Sequence, residues 1–131
     1  MKEISIVAEN RPGVLADVTD LMAKNKINID EIEAETIGNM GVIVMAVQQY
    51  DLALKVLRDA GFQAVTEDSL LIKLKDEPGA LARIALRFKE ANINIRGMHI
   101  VRRDSGYSIV AISAERSEEA KKLVKDVLVS K

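Results

Sequence analysis

Residues 4–9 alternate: Ile4, Ile6 and Ala8 interleave with Ser5, Val7 and Glu9, the two-residue period of a strand. Asn10-Arg11-Pro12-Gly13 predicts a turn, with Pro12 just inside a helix start, where its missing N–H would be unpaired anyway. Val14, Leu15, Val18, Leu21 and Met22 recur at helical spacing and form one apolar face. Asn25 to Asn28 ends that helix. Ile29 to Ile37 reads as a strand, Gly38-Asn39-Met40-Gly41 as a hairpin turn, and Val42 to Val47 as a second strand. Leu52, Ala53, Val56, Leu57 and Ala60 predict a second amphipathic helix stopped by Gly61, and Phe62 to Val65 a short closing strand.

The pattern then repeats. Pro12-Gly13-Val14-Leu15-Ala16 recurs as Pro78-Gly79-Ala80-Leu81-Ala82, and Ile27-Asn28-Ile29 as Ile93-Asn94-Ile95, both 66 positions on. Gly41 pairs with Gly106 at an offset of 65, and Asp51 with Ser117 at 66 again. Leu70, Ile72 and Leu74 line a strand, and Leu81, Ile84, Ala85 and Phe88 a helix. Ile95 to Val101 and Tyr107 to Ala114 form a hairpin around Asp104-Ser105-Gly106. Ala120, Leu123, Val124, Val127 and Leu128 line the last helix.

Each copy is a β-α-β-β-α-β unit. The fold class is α+β, two ferredoxin-like units in tandem, residues 1–67 and 68–131, with helices on one face of an antiparallel sheet. The second copy shows no fourth strand before Lys131, so another element, such as a partner chain, is expected at that sheet edge. The face away from the helices must carry either Ile43, Met45 and Val47 or their alternates Val42 and Val44, and a face so apolar predicts self-association.

Composition narrows the function. The net charge is −1 and only 3% of residues are aromatic, which disfavours a phosphate-backbone binder or a base-stacking surface. There is no cysteine and one histidine, which removes thiolate chemistry and the usual zinc sites. No apolar run is long enough to cross a bilayer, and the N-terminus lacks the pattern of a signal peptide, so a cytoplasmic location is expected. No activated nucleophile, Walker-type loop or metal set is visible, so the expectation is a protein without catalysis or cofactor.

Two repeated positions could hold a ligand. At Asn10 to Gly13 and Asp76 to Gly79, a strand passes through a loop into a helix. First-turn N–H groups there are unpaired and partly positive, and glycine permits close approach of an anion. The same residues also fit a plain helix start with Asn10 or Asp76 as cap. Asn28 and Asn94 each offer an amide donor and acceptor as a strand begins, and equally fit a helix-exit turn. The steps from Ile29 to Ile32 and from Ile95 to Met98 break the alternation, predicting a bulge near each strand start.

Glu9-Asn10-Arg11-Pro12-Gly13-Val14-Leu15 followed by Ile27-Asn28-Ile29 resembles the ACT domain, a small-molecule regulatory module of amino-acid metabolism. It is most similar to the serine-binding ACT domain of phosphoglycerate dehydrogenase. The resemblance covers nearly the whole chain as two tandem copies. It implies an amino-acid ligand held between the first loop of one unit and the second-strand start of a neighbour. Asn10, Arg11, Gly13, Val14 and Leu15 would then bind the ligand together with Asn28 and Ile29 of an adjacent unit. Asp76, Gly79, Ala80, Leu81 and Asn94 would form a second site. Serine-binding members carry a histidine two positions before the loop Asn, where Ala8 and Leu74 stand here.

Asp76 and Glu77 would repel a ligand carboxylate if both pointed inward, which favours the first loop as the anion site. His99, between Met98 and Ile100, reads as a core or interface residue. Arg96, Arg102 and Arg103 read as a solvated hairpin tip. Asp30, Glu31, Glu33 and Glu35 read as a solvent-facing strand edge or, less simply, a cation site. The partners expected are an amino-acid ligand, further copies of the chain in a homodimer or higher homo-oligomer, and a biosynthetic enzyme. Nucleic acid and membrane are not expected. The alternative is an interaction module or regulatory subunit without a ligand.

Overall fold

A computed structural model describes residues 2–129. The elements, in chain order, are β1 (Glu3–Glu9), α1 (Val14–Lys24), β2 (Ile29–Ile37), β3 (Met40–Val47), α2 (Tyr50–Asp59) and β4 (Gln63–Val65), then β5 (Ser69–Lys75), α3 (Ala80–Glu90), β6 (Ile95–Asp104), β7 (Tyr107–Ala114) and α4 (Ser117–Leu123). The chain divides into two compact units between Glu67 and Asp68.

In the first unit the sheet order is β2-β3-β1-β4, with every pairing antiparallel. This is the ferredoxin-like arrangement, and it follows from the alternation. Ile4 pairs with Met45 and Ile6 with Ile43, so these four side chains share one face. They pack, with Val47, against Val18 and Met22 of α1 and Ala53 and Leu57 of α2. Each of these larger side chains contributes about 1.5–3 kcal/mol by leaving water. The alternates Val42, Val44, Val7 and Val65 therefore project from the other face.

The second unit has a three-stranded sheet, β5-β7-β6, and a matching core of Ile72, Leu74, Val110 and Ile112 under Ile84, Phe88, Ala120 and Val124. Its last helix is shorter than predicted. It ends at Leu123, and Val127 and Leu128 leave the helical path. The Lys73 N–H donates to the Val127 carbonyl at 2.9 Å, the Val129 N–H to Leu71 at 2.8 Å, and Ile72 bridges Leu128. The segment takes the place that β4 occupies beside β1. An unpaired β5 edge demands backbone partners, and that demand overrides a helical spacing. The Arg87 guanidinium fastens the segment, donating to both carboxylate oxygens of Asp126 at 2.7 and 3.0 Å and to the Leu123 carbonyl at 3.2 Å.

Both predicted bulges are present, between Ile29 and Glu31 and between Ile95 and Gly97. A further register shift between Ile100 and Arg102 was not expected. It lengthens β6, so the offset between copies rises to 67 instead of falling to 65: Met45 pairs with Ile32, and Ile112 with Met98. The first hairpin turn is accordingly only Gly38-Asn39. Met40 and Gly41 belong to β3, with Gly41 opposite Ala8, and Gly41 is not the counterpart of Gly106.

Candidate functional site

The two loop–helix junctions are built alike. Gly13 precedes α1 at φ 89° and Gly79 precedes α3 at φ 87°, the left-handed region that glycine enters without a Cβ penalty. The helices begin one residue later, so Pro12 lies before the cap position rather than inside the helix. Neither Asn10 nor Asp76 caps, since no side chain hydrogen-bonds either helix start. Their backbone N–H groups instead tie the loops to the hairpin turns: Asn10 donates to the Asn39 carbonyl at 2.8 Å and Asp76 to the Gly106 carbonyl at 2.9 Å. The Val14 and Ala80 N–H groups turn back to the Arg11 and Glu77 carbonyls at 3.3 Å, so only the later first-turn N–H groups are left to face the loop.

The first loop brings Asn10, Arg11, Gly13, Val14 and Leu15 together. Arg11 is turned onto α1, donating to Asp17 at 2.9 Å. Leu15, placed by its spacing on the apolar face, is 42% exposed and borders the loop.

The second loop opens on a concavity of about 230 Å³. Asp76, Gly79, Ala80 and Leu81 line it. So do Arg103 of β6 and Ser108 of β7, which the sequence reading did not place there, over an apolar floor of Leu74, Ile100 and Val110. Arg103 reaches Asp76 at 3.4 Å and Arg83 holds Glu77 at 2.9 Å. Each carboxylate of this loop therefore faces a guanidinium. Ser108 is buried, and its register with Leu74 and Arg103 turns it to the helix side of the sheet.

Asn28 and Asn94 are exposed and stand at the far end of their sheets. Ile29 pairs with Val47, whereas Glu9 pairs with Met40 at the other end of β3. Seven strand steps at about 3.3 Å put Asn28 about 23 Å from the Asn10 end of the same unit. The Asn94 and Lys75 ends of β7 are separated in the same way. Asn94 exchanges bonds with Glu115, the Asn94 N–H reaching its carboxylate and the Glu115 N–H the Asn94 carbonyl, both at 3.2 Å. No single unit brings its loop and its second-strand Asn together.

The other residues singled out fall elsewhere. Glu31, Glu33 and Glu35 are exposed along β2, an edge strand. Among the described residues no group of three or more acidic or histidine side chains is placed to hold a metal ion. His99 is exposed on β6 rather than in the helix-side core. The arginine cluster is split: Arg103 enters the concavity, while Arg102 is half-buried with its Nε shielded from solvent. No described helix is long and apolar enough to cross a membrane.

Residues 4–60 match the AHAS small subunit-like ACT domain family, and residues 69–129 match the ACT domain family. The chain therefore belongs to the ACT-domain family, as two ACT-type domains in tandem. A Bacteroides thetaiotaomicron protein of solved structure has 26% identity, a TM-score of 0.50, and coverage of 98% of this chain and 90% of that one. The aspartate kinase regulatory subunit of Thermus thermophilus has 20% identity, a TM-score of 0.45, and coverage of 96% and 91%. The acetolactate synthase small subunit of Thermotoga maritima has 18% identity, a TM-score of 0.42, and coverage of 98% and 89%. No curated protein gives a significant match.

Proposed function

We propose that this tandem ACT protein is a regulatory, non-catalytic protein whose signal is a free amino acid. The observation that carries the reading is the Asp76–Arg103 pair at the concavity over Gly79 to Leu81. A zwitterion complements that pair, its ammonium facing Asp76 and its carboxylate facing Arg103 and the first-turn N–H groups of α3. Its side chain would meet Leu74, Ile100 and Val110, a floor suited to a small or apolar group. The first loop offers the neutral Asn10 amide with Arg11 already engaged, a weaker grip on the same ligand.

Asn28 and Asn94 complete a site only when supplied by a neighbouring ACT unit, since each lies about 23 Å from its own loop. A ligand shared by two units favours the arrangement in which both touch it, which turns binding into a signal. The face away from the helices, with Val7, Val42, Val44 and Val65, is buried and offers no exposed apolar patch for self-association, so the support for a homodimer or larger homo-oligomer is the open strand edges.

A second reading has support from the family of the first unit, whose description is that of a small subunit. The protein would then regulate a biosynthetic enzyme by contact, without a ligand.

A thermal-shift panel of the twenty amino acids separates the two. A ligand at ~100 times its dissociation constant adds about 2.7 kcal/mol, a rise of several degrees. One selective hit is expected. No shift with any amino acid at millimolar concentration, together with capture of a biosynthetic enzyme, would transfer the role to contact regulation.

A further inference from the structure

Ser108 is the one buried polar side chain among the described residues, 5% exposed on the helix side of its sheet. It lines the loop concavity, and its hydroxyl has no hydrogen-bond partner among the described residues. Burying a hydroxyl without a partner is destabilising, so the group calls for a partner from outside the fold.

The register fixes where the hydroxyl stands. Leu74, Ser108 and Arg103 are directly paired across β5, β7 and β6, so they form one row on the helix side. The next row inward is Ile72, Val110 and Ile100. Asp76 and Arg103 come from the two sides of β7 and meet at 3.4 Å. A ligand held between them lies across β7, and Ser108 is the β7 side chain that it faces first. A short side chain on that ligand reaches Ser108, with Val110 and Ile100 beyond. At about 230 Å³ the concavity lies below the usual range of ligand pockets and suits a small amino acid.

The fold does not require this hydroxyl. The same row in the first unit is Ala8, Gly41 and Thr36, with Gly41 paired to both neighbours. Serine and guanidinium are both missing there, so Ser108 comes together with Arg103 in the unit whose loop carries the ion pair.

Resting on the amino-acid reading above, we propose that Ser108 sets the specificity of this site, selecting an amino acid with a hydroxyl on its β-carbon. A hydroxyl both donates and accepts, so the two groups pair whichever way the proton points. An isostere without the hydroxyl leaves Ser108 buried and unpaired, and that loss discriminates more strongly than contact area. The methyl group of threonine would add to the contact with Val110 and Ile100.

Calorimetric titration of the full chain with threonine and its isostere valine, and with serine and alanine, tests this. Threonine should bind about tenfold or more tightly than valine, and serine than alanine. In Ser108→Ala the threonine and valine affinities should come within about twofold of each other, with valine binding retained. Amide spectra show that the variant folds, and the wild-type ratio tests the proposal without any variant. Valine binding as tightly as threonine, or a threonine preference unchanged in Ser108→Ala, would overturn the proposal. If affinity is still lost in Arg103→Ala, the amino-acid reading survives that result. No saturable binding by any of the twenty amino acids would overturn both.

Discussion

Arg103 of β6 lies 3.4 Å from Asp76, across the mouth of the loop concavity in the second unit. The pair is well exposed, so its share of folding stability is below about 1 kcal/mol. In the proposed reading its role is with a ligand. Arg103→Ala should reduce amino-acid affinity about tenfold or more, equivalent to about 1.4 kcal/mol, while the melting temperature changes little. Calorimetric titration of the variant checks this, and an unchanged affinity removes Arg103 from the site.

The two loops carry the same ion pair with the charges exchanged. Arg11 meets Asp17 and Glu77 meets Arg83, each at 2.9 Å. Glu77→Arg alone places two guanidiniums together and should lower stability by roughly 0.5–1 kcal/mol. Adding Arg83→Asp restores the polarity of the first unit and should recover most of the loss. Denaturant melts of the two single variants and the double variant measure the coupling.

Gly79 holds φ 87° ahead of α3, and a Cβ there would also stand 3.2 Å from an Arg83 guanidinium nitrogen. Gly79→Ala should destabilise by about 1–2 kcal/mol through the left-handed backbone. It should also disturb the Glu77–Arg83 pair. At Gly13 the nearest atom is 3.9 Å away, so Gly13→Ala should show the backbone cost alone. Thermal melts of both variants, compared directly, isolate the steric part.

Asp126 titrates below the usual carboxylate range because the Arg87 guanidinium hydrogen-bonds its carboxylate, against a smaller opposing effect of burial. The folded pKa is thus lower than the unfolded one. The stabilisation is present above the ordinary aspartate value near 3.9 and fades as pH falls through the folded value. With Asp126 well exposed, it amounts to about 1 kcal/mol or less. The protection factors of the Lys73 and Val129 amides, which bond across β5 and residues 127–129, should fall in that acid window once intrinsic exchange is corrected for pH. Asp126→Asn should show the same loss of protection at neutral pH.

Much of this was legible from periodicity. The β-α-β-β-α-β order, the repeat and both bulges near Ile29 and Ile95 follow from alternation and its interruptions. The end of the second unit did not. Ala120, Leu123, Val124, Val127 and Leu128 fit a helix by spacing, and only the unpaired edge of β5 decides that residues 127–129 bond to it instead. Arg103 and Ser108 were missed because a strand places its site residues by register, not by proximity in sequence. The register shift at Val101 is signalled by the adjacent apolar pair Ile100-Val101, and that shift turns Arg103 to the helix side. Ser108 alternates in phase with Val110 and Ile112, which marks an inward polar residue beside a site.

The proposed signal is an amino acid held at the second-unit loop between Asp76 and Arg103. The most direct test is an amide-resolved titration of the full chain with the amino acid selected by the thermal-shift panel. The account predicts saturable shifts at Gly79 to Ala82, Arg103 and Ser108, lost in Arg103→Ala. Saturable binding whose shifts avoid all of these residues, or no saturable shift with any amino acid at millimolar concentration, would contradict it.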